Sequence, residues 1–225
     1  AEDFARCGYP RDVEALLIIE LDGPQVEVDH LIERVKAIAG QNKARTLKVS
    51  TSEAERLAFW AGRKAAFPAV GRISPDYICM DGTIPRKALP QVLRGMEDLS
   101  KKHGLRVANV FHAGDGNLHP LILFDANTGD EFDRAEAFGA DILRLCVKVG
   151  GVLTGEHGVG IEKRDLMPEM FSEADLEQQQ RVKCAFDDKG LLNPGKVFPT
   201  LHRCAELGRM VVKGGQLPFP EIPRF

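Results

Sequence analysis

Two histidines, His112 and His119, stand seven positions apart in the middle of the chain. Between them the sequence reads Ala-Gly-Asp-Gly-Asn-Leu, and apolar runs lie on both sides. An Asp-Gly pair between apolar runs predicts a hairpin, because its tight turn needs positive φ. With Asp115 and Gly116 as the two loop residues, the histidines lie directly opposite each other, with Cβ atoms about 5 Å apart. Two imidazoles so placed could bind one metal ion, since Zn–N bonds are about 2.0–2.1 Å long.

A second motif further along the chain supplies a carboxylate and another imidazole. Residues 155–160 read Gly-Glu-His-Gly-Val-Gly, without the order of a dinucleotide-binding or phosphate-binding loop. In an extended backbone Glu156 and His157 would point to opposite sides, so that one could bind a metal while the other faces a substrate. Together with His112 and His119, Glu156 completes a three-ligand set with an open position, the pattern of a catalytic metal site. The competing interpretation is a polar hairpin tip and a surface Glu-His pair.

Composition excludes several functional classes. The chain has 225 residues and a net charge of −3, which gives no reason to expect a nucleic-acid partner. It contains no apolar run long enough for a membrane span and no signal-peptide pattern. The five cysteines are widely spaced, which is typical of buried thiols in a reducing compartment. The chain begins with Ala-Glu-Asp-Phe, and we expect a piece of a longer protein.

Hydrophobic periodicity predicts strands and helices interleaved along the chain. The predicted strands are 14–21, 46–50, 76–81, 107–111, 121–124 and 152–154. The predicted helices are 28–39, 52–66, 87–103, 130–149, 162–170 and 173–187. This order indicates an α+β fold: a largely antiparallel sheet covered by helices, resembling paired ferredoxin-like units. The hairpin strands are apolar on both faces, so we expect the sheet to be covered there.

Three motifs carry a resemblance to a known family. Phe-His-Ala-Gly-Asp-Gly-Asn-Leu-His-Pro (111–120), Gly-Glu-His-Gly-Val-Gly (155–160) and Leu-Leu-Asn-Pro-Gly-Lys (191–196) occur in this order. Together they resemble the C-terminal domain of FAD-linked 2-hydroxy acid oxidases and dehydrogenases of the vanillyl-alcohol-oxidase type. Segments 61–68, 79–85 and 201–206 resemble the bacterial glycolate oxidases in particular. The resemblance covers nearly the whole chain.

The resemblance implies roles for the residues of the two motifs. His112, His119 and Glu156 match positions that hold a divalent metal in related D-2-hydroxy acid dehydrogenases; zinc, manganese or iron would fit. His157 matches the catalytic base of those enzymes.

Four further positions bear on the substrate and the cofactor. Arg63 matches an arginine that binds the substrate carboxylate, and Asn193 is a candidate flavin contact. Relatives that act on larger 2-hydroxy dicarboxylates have a polar residue at the position of Leu121 and a lysine near that of Cys79. Their absence here favours a small substrate such as glycolate or lactate.

The resemblance also implies a domain plan and an activity. Residues 1–190 would form the substrate-binding or cap domain, and residues 191–225 a tail that packs toward an N-terminal FAD-binding domain. Together they would oxidise glycolate to glyoxylate, with D-lactate as another candidate substrate, by metal-assisted removal of the hydroxyl proton and hydride transfer to FAD. The expected partners are iron–sulfur and second flavin-domain subunits. The expected location is cytoplasmic, with peripheral attachment to the inner membrane through those subunits left open.

Two other functional classes remain open at this point. A non-redox metal-binding module or a metallohydrolase would use the same ligand set, with metal-bound water as the nucleophile. In a purely structural cap, the histidines would serve only the hairpin. We expect the chain by itself to be inactive, because it carries no identifiable flavin site.

Overall fold

A computed structural model describes residues 1–187 and 189–199 of the chain. The chain divides into two compact units, Ala1–Val70 and the part that begins at Gly71, and each is described by itself. The motif at 201–206 lies outside the described residues.

The first unit is helical. It contains α1 (Glu2–Ala5), α2 (Gln25–Gln41) and α3 (Glu53–Val70). Helix α3 begins as its sequence predicts: the Ser52 hydroxyl accepts a hydrogen bond from the Glu55 N–H at 3.2 Å. The helix continues past its predicted end at residue 66 and through Pro68 to Val70. Pro68 has no N–H to donate within the helix, and Val70 at the helix end is buried.

The strands predicted at 14–21 and 46–50 are wrong. Both stretches are irregular in the structure. Their apolar residues stay partly in solvent, with 69% of Leu17 and 43% of Leu47 exposed. An apolar run becomes a strand only when a neighbouring chain pairs with its N–H and C=O groups. No such neighbour occurs among the described residues of this unit.

The second unit contains a three-stranded antiparallel sheet. Its strands are β1 (Asp76–Cys79), β2 (Val107–Asn109) and β3 (Pro120–Phe124), in the order β1-β3-β2. All five residues of β3 are buried, so both faces of this central strand are covered, as its apolar sequence predicts. The α+β class is therefore confirmed, with a smaller sheet than the number of apolar runs suggests.

Among the described residues of this unit four α-helices accompany the sheet; the first lies between β1 and β2 in sequence, and the other three follow β3. The four are α4 (Leu89–His103), α5 (Glu131–Lys148), α6 (Met167–Met170) and α7 (Glu173–Phe186), with 3-10 turns at Arg86–Ala88 and Arg164–Leu166. Helix α5 packs on α4 and on the sheet. Their shared core includes Val92, Met96, Ile122, Phe138 and Ile142, each fully buried. The predicted helix at 162–170 is two short pieces, joined at Met167.

The hairpin that carries the two histidines has a different register from the predicted one. Ala108 is opposite Leu121, and the His112 N–H donates to the Asn117 carbonyl at 3.0 Å. The loop therefore has four residues, 113–116, and His119 pairs with Val110. The predicted two-residue loop and the direct opposition of His112 and His119 are wrong.

A neighbouring segment explains the wider loop. Ile84 donates its N–H to the Gly116 carbonyl at 2.9 Å, and Leu118 donates its N–H to Gly82 at 2.9 Å. A Cβ on Gly116, whose φ is +75°, would lie 2.1 Å from the Ile84 carbonyl oxygen. The turn therefore closes around backbone that the hairpin sequence alone does not contain.

Segment 82–84 also pairs with Val152, which lies shortly before the second motif. Thr83 and Val152 exchange two backbone hydrogen bonds, of 3.1 and 2.8 Å. The strand predicted at 152–154 is thus a single bridge. Segment 82–84 lies between the hairpin tip and residue 152, and this arrangement brings the two motifs together. In the described part of the chain, no helix combines the length and apolarity needed to cross a membrane.

Gly151→Ala tests this close approach. The new Cβ would lie 2.1 Å from the Thr83 carbonyl oxygen and 2.7 Å from that of Cys146, both backbone atoms that cannot move aside cheaply. We expect a loss of about 1–3 kcal/mol in the free energy of unfolding, measured by urea denaturation. Gly114→Ala is the control, because no heavy atom lies within 4 Å of its added Cβ. Equal stability of the two variants would contradict the described contact.

Candidate metal and catalytic site

Four of the predicted site residues meet at one place in the second unit. The Glu156 Oε1 atom lies 2.9 Å from His119 Nε2, 3.8 Å from His112 Nε2 and 4.0 Å from His157 Nε2. The His119 ring stacks almost parallel to that of His157, with centroids 5.0 Å apart. The two motifs therefore form one site, as their combined chemistry predicts.

The hairpin delivers its two histidines from diagonal rather than opposed positions. Diagonal neighbours across an antiparallel pair are about 7–8 Å apart at the backbone, within reach of long side chains. The rings of His112 and His119 meet edge to face, with centroids 5.2 Å apart. His119 is only 3% exposed, whereas 47% of the His112 side chain faces solvent. His112 and His119 therefore still meet despite the different register, because imidazole side chains are long enough to reach each other from diagonal positions.

Asp81 holds the second motif in place. This aspartate is fully buried two positions beyond β1. Its Oδ2 atom accepts the N–H groups of Gly155, Glu156 and His157 at 3.0, 2.7 and 2.9 Å. Three successive N–H groups that converge on one oxygen form a curved backbone, not an extended one. The predicted opposite orientation of Glu156 and His157 is therefore wrong, since both side chains reach the same site.

Lys163 pairs with Asp81 inside the protein. Its side chain is 2% exposed, and its ammonium group contacts the Asp81 Oδ1 atom. The same ammonium donates to the Asp81 carbonyl at 3.0 Å and to the Thr154 hydroxyl at 3.1 Å. Sequence reasoning missed both members of this pair as site residues. The available signal was an aspartate at the end of the predicted strand 76–81, but nothing in the local spacing marks Lys163 as buried.

Burial and charge set the protonation of the inner residues. Burial lowers the pKa of His119, and the Glu156 carboxylate only partly opposes this effect. A neutral His119 keeps a nitrogen lone pair for a ligand bond. Burial alone would raise the pKa of Asp81, but Lys163 and the N–H groups of His157 and Glu156 lower it below the usual value. Asp81 is therefore an ionised carboxylate that accepts hydrogen bonds from backbone N–H groups.

The ligand atoms of His112, His119 and Glu156 lie within 4.8 Å of one another, and their chemistry fits a divalent metal. Asp81, His119 and His157 also come within this limit. The oxygens of Asp81, however, are already engaged by Lys163 and by three N–H groups. The first set is therefore the better candidate metal site, and an ion there would have His157 beside it rather than as a ligand.

The two remaining predicted residues lie elsewhere in the chain. Arg63 is a partly buried residue of α3 in the first unit. Asn193 lies beyond α7 with φ +47°, and its carbonyl accepts the Lys196 N–H at 3.3 Å. The same segment returns to the second motif, because Val197 donates its N–H to Gly160 at 2.9 Å. The proposed roles of Arg63 and Asn193 remain predictions.

The lowered pKa of His119 predicts a pH dependence of stability in the metal-free chain. An unfolded histidine titrates near 6.5, so below that pH the unfolded state takes up a proton that folded His119 resists. The free energy of unfolding, measured with chelator present, should therefore fall as the pH drops through about 6.5. His119→Gln should reduce this fall. Identical pH profiles of parent and variant would contradict the burial argument.

Known proteins are similar to this chain over most or all of its length. The family of FAD linked oxidases, C-terminal domain, matches residues 1–197. The glycolate oxidase subunit GlcD of Escherichia coli (strain K12) is 60% identical over 225 residues, covering 100% of this chain and 45% of that protein. GlcD of Bacillus subtilis is 34% identical over 197 residues, covering 88% of this chain and 42% of the relative. The mitochondrial D-lactate dehydrogenase [cytochrome] of Kluyveromyces lactis is 31% identical over 177 residues, with coverages of 76% and 30%.

One solved structure shows the same fold. A 4-ethylphenol oxidase from Gulosibacter chungangensis in complex with isoeugenol matches with a TM-score of 0.53 and 15% identity, over 78% of this chain and 37% of that one. The chain spans less than half the length of each of these relatives. The family match over most of its length settles its classification: the chain belongs to the C-terminal domain family of FAD linked oxidases.

Proposed function

We propose that this chain is the substrate domain of a flavoprotein that oxidises a small 2-hydroxy acid, with glycolate as the first candidate and D-lactate as the second. The observation that carries the proposal is the meeting of His112, His119 and Glu156 beside His157 in a member of this family. The relatives named as glycolate oxidase subunits and D-lactate dehydrogenases support the substrate class.

The flavin belongs to a part of the protein outside this chain. The chain spans 45% of the length of its E. coli relative, which leaves ample room for an FAD-binding domain. Residues 1–190 act as the substrate-binding domain, and 191–225 as a tail toward the flavin, where Asn193 is the candidate contact. Bound FAD supplies the hydride acceptor for the reaction.

His112, His119 and Glu156 would hold a divalent metal. Zinc, manganese and iron all accept imidazole and carboxylate ligands, and such an ion supplies Lewis acidity to an oxygen ligand. The buried neutral imidazole of His119 presents a lone pair without first losing a proton. The half-exposed His112 and Glu156 side chains leave the outer side of the site accessible to a substrate.

His157 is the candidate base. Its Nδ1 atom lies 3.5 Å from the Asp81 carboxylate, which favours a proton on that nitrogen. The other nitrogen, Nε2, then carries the lone pair and lies on the side of Glu156, 4.0 Å from its Oε1 atom. It would accept the proton of the substrate hydroxyl. Asp81 thus orients the imidazole as well as the backbone that carries it.

The substrate carboxylate and its size involve other residues. Arg63 offers a guanidinium fork of the kind that pairs with a carboxylate. Cys79 and Leu121 are direct partners across β1 and β3. Leu121 is fully buried, and burial raises the pKa of the Cys79 thiol to about 12, which keeps that thiol neutral. Neither side chain can carry a positive charge. A second substrate carboxylate would find no partner there, which supports a small monocarboxylate.

The whole protein would pass its electrons to partner subunits. Iron–sulfur and second flavin-domain subunits of a glycolate oxidase complex are the proposed partners, because two relatives are named as subunits of glycolate oxidase. We propose a cytoplasmic complex, with attachment to the inner membrane through those subunits as the alternative location.

Replacement of the proposed base tests the chemistry. In the complete flavoprotein, His157→Gln should lower the limiting rate of flavin reduction by glycolate about 10²–10⁴-fold, measured by stopped-flow absorbance. His103→Gln is the matched control, since His103 also lies beside an aspartate, 2.9 Å from Asp141. A near-normal rate in His157→Gln would make the base assignment wrong. Flavin that glycolate and D-lactate both fail to reduce in the parent would overturn the proposed function.

Metal content tests the ligand set separately. Purified without chelator, the parent flavoprotein should contain about one equivalent of metal by elemental analysis, and His119→Ala should contain little, because an open three-ligand site tolerates no ligand loss. The control His103→Ala should keep its metal. Equal metal in all three proteins would contradict the ligand assignment. Metal-dependent ester hydrolysis without flavin reduction would favour a metallohydrolase.

A further inference from the structure

We propose that the buried pair Asp81–Lys163 is a positioning device that aims Glu156 and His157 into the site. It touches no substrate and acts through the backbone of residues 155–157. For its place in the reaction this inference rests on the proposed function, but its effect on metal affinity can be measured without any reaction.

The first step of the argument is geometric. Side chains of adjacent residues in an extended segment point to opposite sides. Glu156 and His157 do not, because their carboxylate and imidazole come within 4.0 Å of each other. The departure from extended backbone occurs where three consecutive N–H groups bind the single Oδ2 atom of Asp81. The acceptor therefore sets the direction of both side chains.

The second step concerns charge. A fully buried carboxylate needs a partner, since an unpaired charge in the protein interior carries a large desolvation penalty. Lys163 pairs with Oδ1 and leaves Oδ2 to the three N–H groups. Its Nζ atom also donates to the Asp81 carbonyl oxygen and to the Thr154 hydroxyl. Lys163 therefore holds both the side chain and the main chain of Asp81.

The third step is that the second motif is tied to its own anchor at both ends. Thr154 precedes the motif and bonds Lys163 through its hydroxyl. Lys163 follows the motif, and its N–H donates to the Val159 carbonyl at 3.2 Å. Thr154 and Lys163, nine residues apart, therefore meet beside Asp81. Residues 155–157 cannot turn away unless these bonds break.

A merely stabilising role makes a different prediction. Buried ion pairs can often be replaced by neutral residues without loss of stability. If Asp81 and Lys163 only balanced each other, any pair of neutral residues of similar volume would serve the site equally well. A positioning role requires instead that an acceptor for the three N–H groups remains.

Two double variants of the complete flavoprotein separate these roles. Lys163→Met with Asp81→Asn removes both buried charges and keeps a carbonyl oxygen that can accept the three N–H groups. Lys163→Met with Asp81→Leu removes both charges and the acceptor. Neither leaves an unpaired buried charge, which would threaten the folding of the single variants. Thermal unfolding of both doubles verifies that they are folded before any comparison.

The main measurement is the affinity for Zn²⁺, which is obtained by titrating the metal-free proteins in chelator-buffered zinc. We expect the Asn double variant to bind zinc at least about tenfold more tightly than the Leu double variant, as for loss of other groups that orient ligands. Equal affinities in the two double variants, whether high or low, would overturn the proposal. Lys183→Met with Asp187→Asn is the matched control, because Lys183 pairs with buried Asp187, which accepts the N–H groups of Leu191 and Leu192 at 2.8 and 3.0 Å. It should bind zinc as the parent does.

The limiting rate of flavin reduction by glycolate is the second measurement and reports on His157. At saturating glycolate and metal, we expect the Leu double variant to reduce its flavin at least about tenfold more slowly than the Asn double variant, because only the latter keeps the imidazole aimed. A parent that binds zinc but is reduced by neither glycolate nor D-lactate overturns the proposed function, and zinc affinity then decides the positioning role alone. A parent that binds no zinc removes the ligand assignment, and the limiting rate then decides.

Discussion

A single carboxylate oxygen, Asp81 Oδ2, organises the candidate site, because three successive N–H groups of the Gly-Glu-His motif end on it. The interaction is possible only because Asp81 is buried and charged at once, which requires Lys163 on its other oxygen. Its pKa is lowered despite burial, so the anchor stays a carboxylate over the pH range in which His119 changes charge. The anchor therefore keeps its charge while His119 titrates.

The link between the two motifs is the short backbone segment that follows Asp81. Thr83 pairs with Val152, and Ile84 and Gly82 bond the hairpin tip at Gly116 and Leu118. One stretch of three residues thus holds both the hairpin with its histidines and the strand end that leads to the Gly-Glu-His motif. Because these are main-chain bonds, they fix the distance between the motifs independently of the side chains that line the site.

Sequence reasoning found the chemistry of the site better than its geometry. The His112–His119 pair was predicted from a two-residue turn that does not exist, and it is present because imidazoles also reach across a diagonal. The turn is wider because it closes on Ile84, a contact that no local pattern records. The strands predicted at 14–21 and 46–50 failed for the same reason, since apolar periodicity describes a segment and not its partner. Lys163 was missed because a lysine is rarely buried.

Buried and exposed charges have different places in the site. Asp81 and Lys163 are at most 2% exposed, and they form an ion pair with each other and hydrogen bonds with the backbone. Three of the four candidate site residues are partly open, since His112, Glu156 and His157 each keep 42–54% of their side chains accessible, whereas His119 is buried. A flexible, exposed carboxylate would not by itself hold a metal-binding geometry, because side-chain entropy opposes it. Here the order comes from the buried pair beneath, so the exposed residues can meet a ligand from solvent while their backbone stays fixed.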